Sequence, residues 1–113
     1  MTEPSAPLRI LLVEDSPEDA ELTERALREG GLAVELDVVD DEAGLRASLA
    51  AFVPEVLLID WNLPAFSGAS AVTIAREWDS LVPCILISGS VGEELVVEAL
   101  RTGATDYVLK GHF

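Results

Sequence analysis

Short, nearly continuous apolar runs alternate along the chain with segments whose apolar residues return every three or four positions. Leu8 to Val13, apolar but for Arg9, predicts a strand buried on both faces. Ser16-Pro17-Glu18-Asp19 then opens a helix: a hydroxyl for the cap, Pro at the first helical position, and acids at the positive end of the dipole. Leu22, Ala26 and Leu27 are its expected inner face, and Gly30-Gly31 ends it. Val34, Leu36 and Val38 alternate with Glu35 and Asp37, the pattern of a strand with one exposed side, placed at a sheet edge. Leu45, Leu49 and Phe52 mark a second helix, terminated by Pro54. Glu55 to Asp60 is again apolar throughout its middle and therefore central. Asn62-Leu63-Pro64 and Ser67-Gly68 read as a loop, and Ala71, Ile74, Ala75 and Trp78 as the inner stripe of a third helix. Val82 to Ser88 predicts a fourth strand, Gly89 to Gly92 a loop, and Glu93 to Thr102 a fourth helix stopped by Gly103. Thr105 to Lys110 predicts a fifth strand. Strands alternating with helices call for a parallel sheet covered by helices on both faces.

Only Gly111, His112 and Phe113 follow the last strand, where one more helix is expected, so the fifth helix reads as missing or truncated. The expected organisation is a disordered tail over residues 1–7 and one domain over 8–113, excised from a longer protein. His112 reads as a solvated residue or the start of the absent helix.

Length and charge narrow the function. A chain of 113 residues holds one domain with a real core. Twenty-one acids against seven Lys and Arg give a formal charge of -14, which argues against direct contact with nucleic acid or anionic lipid, both of which need a cationic face. The single Cys84 has no disulfide partner in the chain and sits in an apolar run, where a buried, inert thiol is expected. No apolar stretch approaches the ~18 residues of a membrane span. Met1 to Pro7 lacks the basic and hydrophobic regions of a signal peptide, so a cytoplasmic location is expected.

The chemistry lies where the apolar runs end. Ile10 to Val13 runs into Glu14-Asp15, Val56 to Ile59 into Asp60, Ile85 to Ile87 into Ser88, and Tyr107 to Leu109 into Lys110. In open α/β sheets the ligand sits outside the carboxyl ends of the strands, so these groups should converge. Two like charges ~4 Å apart repel by about 4 kcal/mol at an effective dielectric near 20. Glu14, Asp15 and Asp60 together must therefore take up protons or bind a cation, and oxygen donors select a hard ion, with Mg²⁺ the expected one. A carboxylate is also a nucleophile toward phosphorus, and phosphoryl transfer needs mainly positioning and charge neutralisation. The Ser88 hydroxyl and Lys110 ammonium are suited to the phosphoryl oxygens. Taken singly, Glu14 and Asp15 could be solvated cap acids and Lys110 a surface residue; four strand ends matching at once weigh against that.

Leu12-Val13-Glu14-Asp15, Asp60-Trp61-Asn62-Leu63-Pro64 with Gly68, Pro83 through Ser88, and Gly103-Ala104-Thr105-Asp106-Tyr107-Val108-Leu109-Lys110 resemble the receiver domain of two-component response regulators over essentially the whole chain. The resemblance implies a flavodoxin-like doubly wound five-stranded sheet of order 2-1-3-4-5, and a regulatory rather than enzymatic role. It makes Asp60 the residue phosphorylated by a histidine kinase or phosphotransfer protein. It implies Mg²⁺ held by Asp15, Asp60 and the backbone carbonyl of Asn62, with Glu14 acting through water. Ser88 and Tyr107 become a switch pair read out on the surface of helix four and strand five. A downstream or fused output module and a phosphorylation-dependent dimer belong to the same expectation. The ending at Gly111 and the Ser16-to-Ala20 segment look most like receivers joined to sensory or histidine-kinase modules.

Two positions depart from the family pattern. The family often has Pro after the lysine, commonly with a cis bond, whereas Gly111 follows Lys110. A cis non-prolyl bond costs about 3 kcal/mol, so a trans bond and a less rigid Lys110 are expected. The absent fifth helix removes part of the usual output surface. Gly89, after the switch hydroxyl, and Asn62, after the acceptor, are the expected rim of the pocket, admitting small phosphodonors and water; Gly89 could equally serve loop geometry alone. Two readings compete. A Mg²⁺-dependent phosphatase would use Asp60 as nucleophile, but the position two residues on, where such enzymes commonly want a proton donor, is Asn62. A phosphorylation-independent docking module would need no intact site.

Overall fold

A computed structural model describes residues 6–61, 63, 67–88, 100–101 and 103–109. Its strands are β1 (Leu8–Val13), β2 (Val34–Val39), β3 (Val56–Asp60), β4 (Cys84–Ser88) and β5 (Asp106–Leu109). Its described helices are α1 (Pro17–Glu29), α2 (Glu42–Ala51) and α3 (Gly68–Trp78). All strand pairs are parallel, in the order β2-β1-β3-β4-β5. This is the expected flavodoxin-like order, with the alternating β2 at the edge and the apolar β1 and β3 inside. β4 begins at Cys84 rather than Val82, because Pro83 has no N–H to give; its carbonyl instead accepts from the Leu57 amide at 2.9 Å. Of the expected fourth helix, Leu100 and Arg101 are helical and the remainder lies outside the described residues, as do Gly111, His112 and Phe113.

Each described helix starts at a side-chain cap. Ser16 accepts from the Asp19 amide, Asp41 from Gly44 and Ser67 from Ser70. The sheet divides the core in two. One side holds Leu11, Val13, Leu57, Ile59 and Leu86 beneath α2 and α3; the other holds Ile10, Leu12, Leu58 and Ile87 on the side of α1. Leu11, Leu12, Leu57 and Ile59 are fully buried, and truncating any of them to Ala should cost about 2–5 kcal/mol.

Two expectations about helix faces need correction. Leu22 is 56% exposed, and α1 instead buries Ala20 and Thr23, with Leu27 half-buried. At roughly 100° per residue, Leu22 points about 200° away from Ala20, so it cannot share that inner stripe. Trp78 is not core either: it is the last residue of α3 and 36% exposed, on a shallow groove with Arg46, Leu49 and Ala50 of α2.

Two features are not evident in the apolar pattern. The Arg76 guanidinium donates to the Gly103 carbonyl (2.9 Å), to the Val82 carbonyl and to Thr105 Oγ1 (3.1 Å), joining α3 to the segments that enter β4 and β5. Val53, after α2, has φ 54°, a left-handed conformation that α1 assigns to Gly31 (φ 91°). A β-branched residue there is strained.

Candidate functional site

The site grows out of the way β1 and β3 end. The Glu14 amide donates to Val39 O at 2.9 Å, carrying the β1 ladder one residue beyond the strand. The chain then turns toward α1, and Glu14 Oε2 accepts from the amides of Asp15 (3.2 Å) and Ser16 (3.4 Å). These bonds hold the Glu14 side chain at the turn rather than out in solvent; it is 4% exposed. Asp60 closes β3, also 4% exposed, and the next amide, Trp61 N–H, still reaches Ile87 O at 2.9 Å. Because β1 and β3 are adjacent with Val13 opposite Ile59, their ends bring Glu14, Asp15 and Asp60 together. One carboxylate oxygen from each lies within 4.8 Å of the other two.

At that separation two full charges repel by about 3.5 kcal/mol at an effective dielectric near 20. Water screens the exposed Asp15, whereas Glu14 and Asp60 are buried against each other's field. The donor set is oxygen only, which fits a hard divalent cation. Neutralising such a cluster is a service a bound cation can perform.

Ser88, the last residue of β4, is fully buried at the same end of the sheet, one residue beyond Ile87, which pairs with Asp60. Tyr107 lies on β5 opposite Leu86, half-buried against the larger core cluster. Asn62, Gly89 and Lys110 fall outside the described residues, although Leu109 places the end of β5 beside Ser88. Glu14, Asp15, Asp60 and Ser88 thus share the carboxyl edge of adjacent strands, as the run endings require.

One residue that positions the site carries no chemistry of its own. A Cβ on Gly68 would lie 2.9 Å from Trp61 Cα and 3.1 Å from the Asp60 carbonyl. Gly68 therefore lets the start of α3 close onto the backbone directly after Asp60. The signal in the chain is a Gly immediately after a helix-capping Ser, which marks close backbone approach.

At the other end of the sheet, Cys84 is buried, and burial pushes its thiol above the usual range, with the Arg76 charge pulling the other way. It takes no part in the acidic site.

Comparison with known proteins identifies the family and the fold. A family model described as the response regulator receiver domain matches residues 10–112. The chain is 34% identical over 102 residues to the transcriptional regulatory protein PrrA of Mycobacterium tuberculosis, covering 90% of this chain and 43% of that protein. The chain therefore spans less than half the length of that relative. Among solved structures, the signal receiver domain of NarL from M. tuberculosis superposes with a TM-score of 0.81 at 28% identity, covering 96% of this chain and 88% of that one. The phosphorylated cyanobacterial phytochrome response regulator RcpA gives a TM-score of 0.78 at 25% identity, covering 94% and 82%. PrrA is named as a transcriptional regulator, and similarity confined to one domain does not carry an output module across.

Proposed function

The chain belongs to the response regulator receiver domain family, and from that premise we propose that it is a phosphoacceptor whose Asp60 takes a phosphoryl group from a histidine kinase or phosphotransfer protein. The observation that carries this reading is the meeting of Glu14, Asp15 and Asp60 within 4.8 Å, with Asp60 buried at the end of the central strand. An Asp60 carboxylate oxygen attacks phosphorus, the phosphorus–nitrogen bond of the donor phosphohistidine breaks, and the imidazole recovers its electron pair. Water later cleaves the acyl phosphate and restores the carboxylate.

Glu14, Asp15 and Asp60, with the backbone carbonyl of Asn62, would hold Mg²⁺. When bound, the ion supplies charge neutralisation for the carboxylates and the phosphoryl oxygens. Ser88 and Lys110 bind the remaining phosphoryl oxygens, and Ser88 with Tyr107 forms the switch that alters the surface of the expected fourth helix and β5. Asn62 and Gly89, outside the described residues, are the expected rim that would admit small donors and water, with Gly89 equally open to a role in loop geometry alone. Similarity to RcpA, known in phosphorylated form, supports the acceptor role.

Acetyl phosphate with Mg²⁺ should add one phosphoryl group by intact mass, and Asp60→Asn should abolish the addition. Steady turnover of small phosphoesters without a lasting adduct would instead favour a phosphatase.

A further inference from the structure

The edge of the sheet away from Ser88 and Tyr107 carries a surface that adjoins the acidic site. β2 is a terminal strand. The Leu8 amide donates to Ala33 O, and the Glu14 amide to Val39 O. By the alternation of a parallel ladder, the backbone groups of Glu35, Asp37 and Val39 face β1, and those of Val34, Leu36 and Val38 turn outward. The Val34 carbonyl is covered by Arg28 Nη2 at 3.1 Å. Leu36 and Val38 continue the outward edge beyond it, and Val38 is 44% exposed.

Beside this edge, between α1 and β2, runs a groove of about 460 Å³. Ala20, Leu36 and Val38 give it an apolar floor and Glu21, Glu24 and Asp40 acidic walls, Glu14 and Asp15 of the acidic site close one end, and no lining residue is basic. Glu21 and Glu24 pair with Arg25 and Arg28, but these pairs are exposed and of the weak i,i+4 kind, so a partner's cation can displace them. Glu35 and Asp37 project on the other side of the strand, where Asp37 accepts from Ser48.

We propose that the β2 edge and this groove form a docking surface for an extended basic segment of a partner protein, which pairs with Leu36 and Val38 as an added strand. Outward peptide groups demand an extended backbone, since only a strand can match their spacing. Carboxylates on both faces demand Lys or Arg at successive positions of the segment, and the apolar floor accepts the aliphatic stems of those side chains. The charge of -14 steers such a segment in. The strand pairing at Leu36 and Val38 uses no residue of the acidic cluster, although the groove beside it ends at Glu14 and Asp15.

The test uses the full chain and a synthetic peptide in which Lys–Lys pairs, one Lys on each face of the strand, are separated by Val or Thr, at physiological salt. Binding should be one to one, and hydrogen exchange at the Leu36 and Val38 amides should slow at least tenfold. Val38→Pro removes an outward N–H without breaking the β1 ladder and should weaken binding at least tenfold. Glu21→Lys with Glu24→Lys should do the same through charge. If Val38→Pro unfolds the chain, the peptide N-methylated at alternate amides, with its charge intact, should bind at least tenfold more weakly to the wild type. Absence of binding, unslowed exchange at those two amides, or equal binding of the N-methylated peptide would overturn the proposal.

Discussion

Gly68→Ala asks whether the close approach of α3 to the chain after Asp60 is as tight as the geometry indicates. The new methyl carbon would sit 2.9 Å from Trp61 Cα, 3.1 Å from the Asp60 carbonyl oxygen and 3.1 Å from Trp61 Cε3. Two of those three atoms are backbone, so a rotamer change cannot relieve the clash. Overpacking of this sort costs about 1–3 kcal/mol. Against it stands the helix preference of Ala over Gly, at most about 1 kcal/mol in a helix interior and less at its first position. The net expectation is a loss of about 1–2 kcal/mol, a fall in Tm of roughly 5–10 °C for a domain of this size. The same displacement moves the Asp60–Trp61 backbone, so Mg²⁺ should stabilise the variant less than the wild type. Urea and thermal unfolding with and without Mg²⁺ measure both effects. A variant as stable as the wild type, with an unchanged Mg²⁺ response, would refute the argument.

Other expectations follow from single observations. Val53→Gly should stabilise the fold by about 0.5–1 kcal/mol: it relieves a left-handed strain of about 1–2 kcal/mol at the cost of Gly's extra chain entropy. A lower urea midpoint in that variant would contradict the strain. Mg²⁺ at ten times its dissociation constant should add about 1.4 kcal/mol of stability. Asp15→Asn should blunt that gain and itself raise Tm without metal, because it removes one charge from the cluster; an unchanged Mg²⁺ response would place the ion elsewhere. Iodoacetamide at pH 8 should leave Cys84 unmodified in the native protein and label it once urea unfolds the chain, since burial both hides the thiol and raises its pKa. Rapid native labelling would contradict its placement.

The strand ends were legible because two independent signals coincide there. The apolar run of a buried strand stops, and a charged or hydroxyl group takes over, as at Ile59–Asp60 and Ile87–Ser88. Parallel topology then brings such ends to one edge without any pairwise information. The edge position of β2 was legible for a related reason, its alternation of Val and Leu with acids. Leu22 misled because the hydrophobic count of a helix does not say which arc meets the sheet, and here the smaller Ala20 and Thr23 do. Trp78 misled because α3 ends at that residue, so its stripe runs out before the ring is covered. Val53 gave no local sign at all: a left-handed helix end normally advertises itself with Gly, as Gly31 does after α1. The Arg76 bonds to Gly103 and Thr105 span 27 and 29 positions, a distance over which local patterning carries no information.

Asp60 is the one side chain proposed to receive the phosphoryl group. Treating the acetyl-phosphate-labelled protein with borohydride reduces an aspartyl phosphate to homoserine, and peptide mapping then locates it. Homoserine at position 60 alone, with none in protein never exposed to the phosphodonor, is the result expected. Homoserine at position 15, 5-hydroxynorvaline at position 14, or label that survives borohydride on a hydroxyl such as Ser88, would contradict it.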